Sequence, residues 1–325
     1  MNVPLAPGAV GLGVTTQPKP VELKCATVAA IALTRLLAGR FGNLAVYDLY
    51  QDATVREARH AVLRLALAGS PDTVASYPKT ESAVVLLAHT IADNSALDLV
   101  QLPAPLFARL VSVLAAACGR SASILSTPAA FTIEALAVLK CRAVLYVDVE
   151  AKMRSEGSVV GAFESVALRP DGFRPSALSA LGRARGRIVA VADMKAAAAR
   201  FREHDDSQPN LFGDVLDVLV DRIITSADYD LPNLYAIARP IVPLCVCAPG
   251  ALRRFVAKFV AAQSPSRQEL VAESFEPLFK LLQDFPDGRS HAAELLRQHE
   301  EVTKELCRFA RKWRDSFAAH LREQA

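Results

Sequence analysis

Aromatic residues are scarce in this 325-residue chain, at 6%, and tryptophan occurs once. Sheet layers draw on aromatic and β-branched residues, so this shortage argues against a β-sandwich core. Charge of one sign is lacking too: 37 basic residues face 34 acidic ones, a net +3. Such a balance does not give the basic footprint of a nucleic-acid binder, and nucleic acid is not expected as a partner. No uncharged apolar run reaches the ~18 residues that a membrane-crossing helix needs. The longest candidate, Ala135 to Val149, is interrupted by Lys140 and Arg142. The start, Met1-Asn2-Val3-Pro4, has neither a charged n-region nor an apolar h-region, so neither a secretory signal nor membrane insertion is expected. The six cysteines include no CxxC pair and read as reduced thiols in a nuclear or cytosolic setting. Cys245 and Cys247 lie in an apolar helical stretch and read as core residues rather than metal ligands.

What is abundant is aliphatic. Hydrophobic residues make up 52%, and the mean hydropathy is +0.23. Ala, Leu and Val suit close-packed helices. The length exceeds a single compact core of roughly 100–150 residues, which implies two domains or one elongated repeat structure. Residues 1–20, with four prolines and three glycines, read as a flexible leader. From Val21 the apolar positions fall at three- and four-residue steps: Val21, Cys25, Val28, Ala29, Ala32, Leu36 and Leu37. Gly39 and Gly42 end that helix, and Asn43 to Tyr50 forms a short apolar segment. Thr54-x-x-Glu57 reads as a capping box opening the next helix, and Ser266-x-x-Glu269 as a second cap.

Further helices are expected over about 78–93, 103–119, 127–147, 209–227, 231–247, 250–263, 266–284 and 290–322. Prolines 71, 78, 103, 128, 209, 232, 249 and 265 punctuate their starts, where a missing N–H costs nothing. Connections are too short for crossover strands, so successive helices should be antiparallel. The expected fold is all-α: an α-solenoid of antiparallel HEAT-like helix pairs, repeating about every 35–45 residues. Two repeat blocks, 21–147 and 209–325, flank an inserted, partly flexible region at 148–208 that projects from the stack. That region is rich in glycine and basic residues and carries a helix from about Val189 to Glu203. In the long last helix, Leu295, His299, Val302, Leu306, Phe309, Trp313, Phe317 and Leu321 form one stripe. Trp313 then reads as a packing residue closing the end of the array.

Residues that could carry chemistry are dispersed. Glycines 8, 11 and 13 do not make a dinucleotide fingerprint, and no phosphate loop, G-x-S-x-G elbow or HExxH occurs. Histidines 60, 89, 204, 291, 299 and 320 show no clustering with cysteine, and His299 reads as a partly buried, hydrogen-bonded core residue. Asp205-Asp206 reads as a solvated pair at a helix end. Arg183, Arg185 and Arg187, alternating on a glycine-rich loop, could follow phosphates, but no aromatic is interleaved for base stacking. A solubilising role fits them better. No catalytic, metal or cofactor-binding residue is assigned, no cofactor is expected, and the chain reads as a non-enzymatic binding scaffold.

Two stretches carry a family resemblance. Lys24 leads into Ala32-Leu33-Thr34-Arg35-Leu36-Leu37-Ala38-Gly39, then Arg40-Phe41-Gly42-Asn43-Leu44-Ala45-Val46-Tyr47-Asp48-Leu49-Tyr50. Phe107, Val111, Leu114 and the stretch from Ala129 to Leu139 continue it. A second block opens with Pro209-Asn210-Leu211-Phe212, runs through Val215-Leu216 and Leu219, and resumes at Leu234 to Ala238, Arg239-Pro240 and Ala261-Ala262-Gln263. In this order, over about 21–147 and 209–285, the chain resembles the carboxy-terminal region of the importin-β superfamily receptor exportin seven, also called Ran-binding protein sixteen/seventeen. Family members are far longer and hold their main Ran-binding repeats toward the amino terminus; the 148–208 region and the last helix depart from the pattern. The resemblance implies a nuclear transport receptor that binds protein cargo with Ran-GTP, contacts nuclear pore proteins and shuttles between nucleus and cytoplasm. It carries over no Ran-contact residue. Pro240, inside a helix, should kink it and tune the curvature of the array. The alternative is an α-solenoid scaffold subunit of another assembly, with no Ran or transport role.

Overall fold

Residues 20–39, 53–120, 123–156, 191–225, 231–282, 296 and 298–323 are described by the computed structural model. Among them every regular element is a helix, so the chain is all-α. In order these are α1 (Pro20–Ala38), α2 (Thr54–Ala66), α3 (Pro71–Ala75), α4 (Pro78–Val100), α5 (Ala104–Cys118) and α6 (Ser123–Glu156). Then follow α7 (Val191–Ser207), α8 (Leu211–Thr225), α9 (Leu231–Ala238), α10 (Ile241–Cys247), α11 (Ala251–Ala261), α12 (Pro265–Leu282) and α13 (His299–Glu323). The leader up to residue 19, the apolar segment at 43–50, the 157–190 stretch with Arg183, Arg185 and Arg187, and His291 lie outside the described residues.

Proline and serine set several starts as the sequence implies. Pro71 and Pro78 occupy first-turn positions of α3 and α4, and the Ser70 hydroxyl accepts the Thr73 backbone N–H at 3.1 Å. Other expectations need correcting. The N-cap of α2 is Ala53, without a side-chain cap bond, so Thr54 sits one position too far inside for a capping box. The second expected cap also shifts: Ser266 lies within the first turn of α12, and the Ser264 carbonyl accepts the Arg267 N–H at 2.8 Å. Pro128 lies inside α6 rather than at its start. The stretch 231–247 is interrupted at Arg239-Pro240, as the proline implies: α9 ends at Ala238, and α10 restarts at Ile241 with Pro240, still in right-handed helical geometry, as its N-cap. α4 runs on to Val100 across a break at Ser95 (φ −163°, ψ 92°).

The centre of the molecule is α6, which touches α4, α5, α7, α9 and α10. From Ser126 to Cys141 almost every residue of α6 is buried or half-buried, whichever way it faces. A helix apolar on all sides belongs inside a fold, and alanines 129, 130, 137 and 143 let its neighbours approach closely. At one end α1 packs on α2 and α4. At the other, α13 packs on α12 and turns back over α8, α9 and α10. Contacts therefore reach beyond nearest neighbours in the chain, and the buried apolar residues form a continuous cluster from Ala26 to Trp313.

Within 148–208 the structure describes two helical stretches, and the second is docked on the helical body. Residues up to Glu156 extend α6. In α7, Met194, Ala197, Ala198, Phe201 and His204 are buried at helical spacing against α4, α5 and α6. A short apolar stripe on an otherwise polar, alanine-rich helix is enough to dock it.

Candidate functional site

Because α6 is buried or half-buried on all sides from Ser126 to Cys141, Glu134 and Lys140 within that stretch need partners, and their ion-pair partners come from the second half of the chain. Glu134 is 5% exposed and Arg239, in the break between α9 and α10, is 8% exposed. Their contact is bidentate: Arg239 Nε donates to Glu134 Oε2 at 2.8 Å and Nη2 to Oε1 at 2.6 Å. Burial, the largest single influence, works against the guanidinium charge, but the Glu134 hydrogen bonds together with the negative charge around it hold the Arg239 pKa above its ordinary value. The Phe131 and Tyr235 rings lie 5.5 and 5.8 Å from the guanidinium carbon.

The first residue of α13 completes this cluster. His299 Nε2 donates to the Arg239 carbonyl at 2.7 Å, and its Nδ1 lies 3.8 Å from Glu134 Oε1. A carbonyl only accepts, so the proton of the neutral ring resides on Nε2. Burial lowers the His299 pKa despite the nearby carboxylate. Thr303 Oγ1 donates to the His299 carbonyl at 2.7 Å.

A second buried charge on α6, Lys140, donates to Asp205 Oδ1 at 2.6 Å and lies 4.4 Å from the Phe212 ring centre. Asp205 keeps its side chain 41% exposed, so the reading of Asp205-Asp206 as a solvated pair stands, with the ion pair to Lys140 added to it. Beside it, His204 stacks on Phe107 with ring centres 4.1 Å apart, and Nε2 donates to the Val100 carbonyl at 2.8 Å. Burial lowers the His204 pKa as well. His60 Nε2 bonds the Asp98 carbonyl at 2.8 Å, and Arg59 pairs with the Asp98 carboxylate. His89 stacks near Phe131, and the side chain of His320 is outside the described residues. Among the described residues no three His, Cys, Asp or Glu side chains gather as a metal set would require.

An open concavity lies between α8 and α11. It is open to solvent, holds about 490 Å³, and is lined by Asp217, Val218, Asp221, Phe255, Lys258 and Phe259, among others. Lys258 Nζ lies 3.4 Å from Asp217 Oδ2. Burial raises the Asp217 pKa against the pull of Lys258. Its lining mixes apolar and charged side chains, and it is an open concavity rather than an enclosed cavity. Trp313 does pack: its Nε1 donates to Ser274 Oγ at 2.8 Å within a cluster of Phe259, Phe275 and Phe309. Sequence alone pointed to His299 and Trp313 as core residues. It did not pair Glu134 with Arg239 or Lys140 with Asp205, because those partners are 105 and 65 residues apart.

Comparison with protein-family models, with curated proteins and with solved structures finds no match to this chain.

Proposed function

We propose that this chain acts as an exportin-type nuclear transport receptor, or as the carboxy-terminal portion of one, built from HEAT-like helix pairs and binding protein cargo in a Ran-GTP-dependent manner. One observation carries the reading: the ordered resemblance to exportin seven over residues 21–147 and 209–285. Several of the residues that carry the resemblance are buried apolar positions on helices. Leu37 on α1, Phe107, Val111 and Leu114 on α5, and Leu211, Phe212, Val215, Leu216 and Leu219 on α8 are buried. Arg239-Pro240 falls at the α9–α10 break. A receptor of this kind works by presenting surface rather than by chemistry, shuttles between nucleus and cytoplasm, and meets nuclear pore proteins on the way. Neither catalysis nor a cofactor enters the reading.

The experiment is binding of residues 1–325 to GTP-locked Ran by biolayer interferometry, with the GDP form as control. Receptors of the importin-β type gain affinity by linking separated contacts, and a chain resembling one end of such a receptor has few to link. Weak, GTP-selective binding is expected. Equal binding of both nucleotide forms favours the other reading, a helical scaffold in a different assembly. Tight GTP-selective binding would place a major Ran site within this chain.

A further inference from the structure

Cys141 on α6 and Cys247 on α10 stand 106 residues apart in the chain, yet their Sγ atoms are 3.3 Å apart. Each also reaches a backbone carbonyl of the opposite helix: Cys141 Sγ lies 3.4 Å from Pro243 O, and Cys247 Sγ 3.3 Å from Ala137 O. Both thiols are free. Cys141 is only 2% exposed, whereas Cys247 is half-buried. Cys247 is the last residue of α10, directly before the turn through Ala248 to Gly250, whose left-handed backbone (φ 73°) starts α11. A disulfide needs its sulfurs at about 2.05 Å, a closure that side-chain rotation at a helix end can supply. Cys245, two residues earlier, lines a different recess with Phe279 and Leu282.

We propose that Cys141 and Cys247 are a reversible oxidation site, closing to a disulfide that staples α6 to α10. The oxidant is a peroxide. At the half-buried Cys247, the less buried of the two, the sulfur attacks one peroxide oxygen, the O–O bond breaks, and the thiol becomes a sulfenic acid while one water leaves. Cys141 then attacks that sulfur: the S–S bond forms, the S–O bond breaks, and the departing hydroxide takes the Cys141 proton as a second water. Two thiols lose two hydrogens and one peroxide becomes two waters. Burial pushes the Cys141 thiol well above its ordinary pKa, so it is inert toward bulk oxidant and acts only once its neighbour is activated. The disulfide ties the central helix to the second half of the chain, which the reduced protein leaves joined by non-covalent packing alone.

The test uses the full chain, purified reduced and exposed to hydrogen peroxide under native conditions. Peptide mapping without reductant is expected to recover a Cys141–Cys247 cross-linked pair that dithiothreitol reverses, with the thermal midpoint several degrees higher in the oxidised form. Cys247→Ser should abolish the cross-link and the shift, and Cys245→Ser should retain both. Recovery of the two thiols still alkylatable after peroxide, a Cys245–Cys247 bond in their place, or pairing only in denaturant would overturn the proposal. Mapping the wild-type chain decides the matter even if Cys141→Ser does not fold.

Discussion

Removing one member of the Glu134–Arg239 pair leaves the other's charge buried without its partner, which typically costs ~3–5 kcal/mol. Replacing both with apolar residues removes the attraction and the desolvation burden together. Arg239→Met alone is therefore expected to destabilise the protein by about 3 kcal/mol, and Glu134→Leu/Arg239→Met by much less than the sum of the two single changes. Urea titrations of the three variants make this measurement. Histidine supplies a second expectation at this scale. His204 and His299 both have pKa values lowered from 6.5, mainly by burial. The fold holds the neutral rings, so their contribution is complete above 6.5 and is lost as pH falls through 6.5 toward the depressed folded values. Stability should drop between pH 7.5 and 5.5, with a slope of up to roughly 1.4 kcal/mol per pH unit for each ring. Glu81 and Asp217, whose pKa values burial raises, act in the opposite sense. The histidine share is thus read as the slope lost in His299→Gln and His204→Gln.

Among the elements, α7 departs furthest from its sequence reading. Its alanine run and charged neighbours resemble an exposed helix, and only Met194, Phe201 and the small residues between them mark an inner face. Phe201 is 1% exposed and meets Phe107, Phe212 and His204 edge-on or at steep angles. Phe201→Ala should cost ~3–5 kcal/mol, as expected for an aromatic deleted from a packed core. If α7 merely projected, the change would be nearly silent in a thermal melt. The positions of α5 and α11 follow closely from apolar spacing. The ends of α4 and α6 do not, since packing on neighbours carries a helix past the point where its own periodicity fades.

For the whole molecule, the issue is whether the two halves unfold together. The single tryptophan reports on the packing of α11, α12 and α13, while far-ultraviolet dichroism reports on every helix. A strictly nearest-neighbour array can lose one end independently. Here α6 contacts helices from both halves, and α13 folds back over α8 to α10. Fluorescence and dichroism should therefore give coincident urea midpoints; a tryptophan transition well before the dichroism change would show that the end is energetically separate.

Helical character, helix number to a first approximation and the burial of Trp313 and His299 could be read from the sequence, because each is written in spacing over a few turns. The break at Arg239-Pro240 was visible as a proline, though its strength was not. What only the tertiary structure decided is which distant residues meet: Glu134 with Arg239, Lys140 with Asp205, Cys141 with Cys247. Periodicity fixes which face of a helix is apolar, but not which helix covers it. On α6 from Ser126 to Cys141, buried or half-buried on all sides, even the facing of each residue becomes known only once its neighbours are in place.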